Sequence, residues 1–165
     1  MKQAKSFLYL LSLLFLVWLG FTVTFQWQEL TIGAIIAFGL AILLFKTYVK
    51  LGLPPLGVKR LLFSLIYILI VFKEIIKANI DVAYRAIHPQ VPINPGIVII
   101  NTDLEQDVAK MILANSITLT PGTFTLDIIG DKLLIHWINV ETESVDEATE
   151  IIGERFERYL RVIFG

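Results

Sequence analysis

Cysteine is absent from the 165 residues, which excludes disulfides, thiolate metal sites and a cysteine nucleophile. Histidine is scarce: His88 and His136 stand far apart and form no ligand spacing. No phosphate-cradling glycine pattern of the P-loop or dinucleotide-binding kind occurs. Charge is missing where it would matter most for moving ions. Ser6 to Phe25 is an uncharged run of twenty residues, and Leu30 to Phe45 is another of sixteen. Ionisable groups inside a membrane are the usual mark of ion paths and proton relays. Their absence argues against a pump or channel acting alone and points to an accessory chain. Acids are also nearly missing from the first 73 residues, where Glu29 stands against seven Lys and Arg; the remainder holds fourteen acids against seven.

What is present is apolar surface, 56% of residues with a mean hydropathy of +0.73, above the ~45–50% of soluble domains. A helix rises ~1.5 Å per residue, so twenty residues cover the ~30 Å hydrocarbon core. Phe7 to Phe25 therefore reads as one membrane helix and Leu30 to Phe45 as a second, joined by the polar turn Gln26-Trp27-Gln28-Glu29. The first run exceeds a signal h-region and lacks a small-residue cleavage end, so it reads as retained. Trp27 suits the interfacial aromatic belt. Gly33, Ala34, Ala37, Gly39 and Ala41 supply small residues for close helix packing. At sixteen residues the second helix is short for a bilayer.

Lys46, Lys50, Lys59 and Arg60 surround Gly52-Leu53-Pro54-Pro55-Leu56-Gly57. A basic loop marks the cytoplasmic side, and Lys2 and Lys5 agree. The next apolar segment, Leu61 to Phe72, is too short to span and suits an interfacial or re-entrant piece. Its helical pattern continues to Ile87, with Lys73, Lys77, Asp81 and Arg85 as an i,i+4 ladder whose Lys77–Asp81 and Asp81–Arg85 pairs can bridge. A crossing here would put the rest outside; without one it is cytoplasmic, the reading favoured here.

His88 to Gly96 holds three prolines and reads as an extended linker. Ile97 to Ile100 reads as a strand. Asp103 and Gln106 mark a helix start, with Leu104, Val108, Met111 and Ile112 as its apolar face and an end near Asn115. Phe124, Leu126 and Ile128 alternate with polar residues as a half-buried strand. A two-residue turn at Gly130-Asp131 pairs Leu126 with Ile135 and Thr125 with His136, and puts Leu133, Ile135 and Trp137 on the core face. Ser144 and Glu147 form a capping box for a last helix with the stripe Val145, Ala148, Ile152, Phe156, Tyr159 and Ile163. The expected architecture is a transmembrane helical hairpin with a third apolar or amphipathic helix (residues 1–88), a Pro-rich linker (89–96) and a small α+β domain (97–165). The β-α-β-β-α order of that domain is ferredoxin-like, short of its final strand.

Candidate chemistry is sparse. His136 lies diagonal to Asp127, but a lone His–Asp pair on a strand face is ordinarily a structural hydrogen bond, and no third ligand is evident. Thr118, Thr120 and Thr123 around Pro121-Gly122 form no phosphate loop. Arg155, Arg158 and Arg161 share their helix with Glu150, Glu154 and Glu157 and read as a solvated mixed-charge face, not a nucleic-acid stripe. No catalytic residue, cofactor or metal is indicated, and nothing supports an enzyme.

The segment Ala114-Asn115-Ser116-Ile117-Thr118-Leu119-Thr120-Pro121-Gly122-Thr123 resembles the MrpE/MnhE family, small components of the multi-subunit sodium/proton antiporters. His136-Trp137-Ile138-Asn139-Val140 is also similar to that family's pattern, as is the order of apolar hairpin, basic loop and small α/β domain. The resemblance implies a bacterial inner-membrane antiporter of six or seven different subunits, which exchanges cytoplasmic Na+ for external protons. Large multi-helix subunits would carry the proton path, and the MrpE/MnhE chain would be a small required partner within the lipid bilayer. The resemblance transfers no catalytic residues. Asn115, Thr118, Pro121, Gly122 and Thr123 are expected to shape or dock the turn, Asn115 and Thr118 by capping the helix end, and His136 and Trp137 to form an interface. The competing reading is a membrane-anchored binding or regulatory module with an acidic soluble domain.

Overall fold

The computed structural model describes residues 2–52 and 57–165. Leu53 to Leu56, which include Pro54 and Pro55 of the basic loop, lie outside the described residues. The chain divides into two compact units, the second beginning at Gly57.

The first unit is a helical hairpin, α1 (Lys2–Thr22) and α2 (Trp27–Lys50). Both are long and apolar enough to cross a membrane, with mean hydropathies of 1.8 and 2.1. Two boundaries differ from expectation. The turn comes earlier, at residues 23–26 with Gln26 as N-cap, so Trp27 to Glu29 open α2 instead of preceding it. There Glu29 meets the positive end of the helix dipole. At the other end Lys46 to Lys50 continue the helix, since lysine is a good helix former whose stem lies along apolar surface. At 24 residues α2 is not short. The small residues divide by face: Gly33, Ala37 and Ala41 are buried, while Ala34 and Gly39 are exposed. A Cβ at Gly33 would collide with the Trp18 ring, whose Nε1–H donates to Glu29 O at 3.1 Å. Phe7 completes the hairpin, edge-on to Phe38 and Phe45 at 6.0 and 5.6 Å.

The second unit opens with α3 (Val58–Ile87), a 30-residue helix. The sheet follows as β1 (Gly96–Asn101), β2 (Thr123–Ile129) and β3 (Lys132–Trp137), in the order β1-β3-β2 with antiparallel neighbours. Between β1 and β2 runs α4 (Asp107–Leu119). The last helix comprises α5 (Val145–Ala148), one π-turn (Thr149–Glu154) and α6 (Arg155–Phe164). Val98, Ile100, Leu133, Ile135 and Trp137 form the sheet's share of the core; Leu113, Ile117, Ile152, Phe156 and Leu160 cover it, and Tyr67 joins from α3. Residues 89–95 are tied down and not a free linker. Asn94 N–H and side-chain amide reach Ile138 O and Val140 O at 3.1 Å each, and Arg85 Nη1 donates to Pro92 O at 2.6 Å.

Several local expectations shift by one or a few residues. The hairpin turn forms, with Ile129 opposite Lys132, but a bulge at Leu126 then slips the register. Thr125 pairs with Ile135 and Phe124 with His136, not Leu126 with Ile135. One inserted residue inverts the side-chain alternation, so Phe124 and Leu126 turn outward and Thr123 and Thr125 inward. In α4 the Asp103–Gln106 capping box does not form. Gln106 is the N-cap and its amide donates to Phe164 O at 2.9 Å. The helix therefore starts four residues after Asp103, Met111 is exposed, and the buried face is Ala109, Leu113 and Ile117. In the last helix the π-turn moves burial from Tyr159 to Leu160. Half of the Ser144 capping box forms: Ser144 Oγ accepts from Glu147 N–H at 3.5 Å, while Thr142 Oγ1 accepts from Ser144 N–H at 3.1 Å and donates to Glu147 at 2.5 Å.

Candidate functional site

The signature segment folds as the end of α4 and a tight turn. Helix α4 continues to Leu119, so Asn115 and Thr118 lie within it and do not cap it; Asn115 is exposed on its surface. Thr120-Pro121-Gly122-Thr123 closes the turn, with Thr123 N–H donating to Thr120 O at 3.2 Å. Pro121 presets φ at the second position, and Gly122 supplies φ +93 at the third, the demand of a type II turn. The space is as restrictive as the angle, since a Cβ on Gly122 would stand 2.9 Å from Ile138 Cγ2.

The threonines staple helix to sheet. Thr120 Oγ1 donates to Ser116 O at 2.9 Å and Thr123 Oγ1 to Ile117 O at 2.7 Å, satisfying carbonyls that a helix end leaves open. Thr125 N–H donates to Thr118 Oγ1 at 3.1 Å, and Thr125 Oγ1 to Ala114 O at 3.1 Å. The bulge at Leu126 is what points Thr123 and Thr125 at the helix. Gly122 O then accepts from Ile138 N–H at 2.8 Å, binding the two signature segments to each other.

Together they form one wall of a cleft of about 290 Å³, whose opposite wall is the Glu74–Arg85 part of α3. Thr120 to Thr123 and Trp137 to Asn139 line it, with Ile151, Ile152 and Arg155 from the π-turn and α6 closing one side. Arg155 is only partly solvated: its Nη1 meets Glu74 Oε2 at 3.1 Å, and burial lowers its pKa against the opposing pull of Glu74. Asp81 bonds Arg85 at 2.7 Å, and that hydrogen bond raises the arginine's pKa. This is one of the two expected ladder pairs. Glu157, also expected on a solvated face, is 1% exposed; it accepts from Asp103 N–H at 2.8 Å and Arg161 Nε at 3.3 Å. Of the charges that line the cleft, Glu74 and Arg155 pair across it and tie α3 to α6. Asp81 and Arg85 pair within α3, and Lys77 and Glu141 add one charge of each sign.

His136 and Trp137 do not share a site. Trp137 is buried and reaches the cleft, whereas His136 projects from the opposite, outer sheet face between Ile97 and Phe124. Asp127 Oδ1 accepts from Ile128 N–H at 2.8 Å, and no hydrogen bond joins it to His136 among the described residues. Sequence reasoning missed Tyr67 and Glu74. Both lie on the stripe Tyr67, Val71, Glu74, Ala78, Val82, whose helical spacing was the signal that could have found them.

A sequence model of the family described as Na+/H+ ion antiporter subunit matches residues 11–163. The chain belongs to that family. Within it, the chain is 31% identical over 148 residues to the E1 subunit of the Na(+)/H(+) antiporter of Staphylococcus saprophyticus, covering 88% of this chain and 89% of the relative. The E1 subunit of Staphylococcus aureus (strain bovine RF122) is 32% identical over 147 residues, with the same shares. Among solved structures, a chain of the membrane-bound sulfane sulfur reductase (MBS), an archaeal respiratory membrane complex, is similar at 49% identity and a TM-score of 0.81. That likeness covers 97% of this chain and 99% of the other.

Proposed function

We propose that this member of the MrpE/MnhE family is a non-catalytic membrane subunit of a multi-subunit Na+/H+ antiporter, serving assembly and cation efflux. The observation that carries this reading is the family match over residues 11–163 of a chain whose two membrane helices hold no charge in their interiors. Ions then pass through partner subunits. Purification from membranes in mild detergent tests it: several larger multi-helix membrane proteins should come with the chain, and a chain that purifies alone would sink the idea.

The 49% identity to a chain of an archaeal respiratory membrane complex favours a second reading, membership in a respiratory complex of that kind. Redox-active subunits among the co-purified proteins would select it; their absence would select the free-standing antiporter.

The second unit is cytoplasmic in this reading. What supports it is the attachment of α3 along its length: Arg60 Nη2 bonds Gly165 O at 2.6 Å, Tyr67 bonds Ser116, and Glu74 bonds Arg155. A helix so bound cannot cross lipid without dragging those polar partners with it. Everything after the basic loop then stays on the loop's side. A cysteine at exposed Glu143 should be labelled only from the cytoplasmic face. We read the sheet as ferredoxin-like and short of its last strand, supported by the order β1-β3-β2, with residues 89–96 linking α3 to it. Asn115, Thr118, Pro121, Gly122 and Thr123 build the turn on which assembly depends. Outward-facing His136, with Ile97 and Phe124, forms the contact surface for a neighbouring subunit, and Trp137 supports it from within.

A further inference from the structure

One face of α3 is fixed and the other is bare. Tyr67, Val71, Glu74, Ala78 and Val82 turn toward the sheet and the last helix. Half a turn away, Leu61, Leu65, Leu69, Phe72, Ile76 and Ile80 recur at helical spacing and are all exposed. From Leu61 to Ile80 this stripe is about 29 Å long at ~1.5 Å per residue. A soluble surface does not ordinarily carry a continuous apolar band of that length.

Charge says what covers it. The one acid between Val58 and Ile80 is Glu74, and it points inward to Arg155. Lys59, Lys73 and Lys77 are exposed, and at ~100° per residue all three fall on the same flank of the stripe. The outward side of this stretch is therefore apolar with a row of positive charge along one edge. A second copy packed antiparallel would set lysine row near lysine row, and one packed parallel would leave both rows without a counter-charge on that face. A bilayer with anionic headgroups satisfies both features at once, and only seven residues separate α3 from Lys50, where the second candidate span α2 ends.

We propose that the exposed face of α3 lies in the headgroup layer of an anionic bilayer, with its leucines, Phe72 and isoleucines toward the acyl chains and Lys59, Lys73 and Lys77 against lipid phosphates. This rests on the reading that the hairpin spans the membrane. Helix α3 is thus a lipid contact laid parallel to the surface, and it sets the height at which the domain rides.

The test uses the full chain in vesicles of three parts phosphatidylcholine to one part phosphatidylglycerol. Single cysteines at Leu65, Phe72 and Ile80 carry a nitroxide, whose exposure to oxygen and to a water-soluble nickel chelate reports depth. All three should sit at one shallow depth, roughly 5–10 Å below the headgroups. Joint Lys59→Glu and Lys73→Glu should raise chelate access at Phe72 severalfold in these vesicles and leave it unchanged in pure phosphatidylcholine. Circular dichroism checks that the domain remains folded. A depth that increases steadily from Leu65 to Ile80, full exposure to water, or shelter from both reagents would each overturn the proposal. Labelling at Glu143 reports the side of the membrane separately: labelling from the outer face with shallow nitroxides would refute the cytoplasmic assignment and leave the lipid contact standing.

Discussion

The Tyr67 hydroxyl lies 2.5 Å from Ser116 Oγ, and because Ser116 donates its own proton to Ile112 O at 2.9 Å, the tyrosine is the donor. This buried bond joins α3 to α4 within the core. Tyr67→Phe removes it without opening a cavity, and Ser116 keeps its other bond. The expected loss is about 1 kcal/mol in denaturant unfolding of the second unit. Tyr67→Ala should cost several times as much.

The same residue predicts an alkaline limit. Burial raises the Tyr67 pKa above its ordinary 10.0, with the Ser116 bond pulling the other way. The folded state thus holds the proton more tightly than the unfolded chain. The resulting stability is complete below pH 10 and is lost as pH rises through the raised folded value. Melting temperatures measured on either side of pH 10 should fall more in the wild type than in Tyr67→Phe.

Two glycines separate backbone strain from crowding. Gly122 and Gly130 both have positive φ, +93 and +65, but only Gly122 has a neighbour in the way of a Cβ. Gly130→Ala should cost about 1–2 kcal/mol, the left-handed penalty alone. Gly122→Ala should cost more, and Gly122→Val should prevent assembly with partner subunits, measured by co-purification. If Gly122→Val assembles normally but loses Na+ exchange, the turn serves transport directly and the structural assignment fails.

The Glu74–Arg155 pair predicts non-additivity. Glu74→Leu leaves the half-buried Arg155 guanidinium without its carboxylate and should cost about 2 kcal/mol. Arg155→Met should cost a similar amount, yet the combination Glu74→Leu with Arg155→Met should recover much of the loss. A double-mutant cycle showing additive effects would mean the pair contributes no coupling.

In the hairpin, Gly33→Ala sets a methyl against the Trp18 ring and should weaken the helix pair by about 1–3 kcal/mol. Gly39→Ala, with nothing within 4 Å, should be neutral. Unfolding of the full chain in mixed micelles compares the two.

How far the sequence was legible follows from which signals are local. The uncharged runs, the turn residues Pro121-Gly122 and Gly130-Asp131, and the alternation of Leu133, Ile135 and Trp137 each act over a few residues, and each was readable. The bulge at Leu126 was not, because it follows from stapling by Thr123 and Thr125 to α4, a tertiary demand that overrides alternation. Glu157 and Arg155 looked solvated for the same reason: their partners, Asp103 and Glu74, are 54 and 81 positions away. The signature segment stood out as a string, but that its two halves meet at Gly122 O and Ile138 N–H needed the fold.

The π-turn in the last helix has a consequence for chain length. A regular helix there would need one residue fewer to keep Ala148 and Ile152 in phase with Phe156 and Leu160. Shortening Thr149–Glu154 by exposed Glu150 can therefore be absorbed as an ordinary helical turn. The same deletion at Arg158 has no slack to draw on and would rotate Leu160 and Ile163 out of the core. The fold is specified here by a count of residues as much as by their kind.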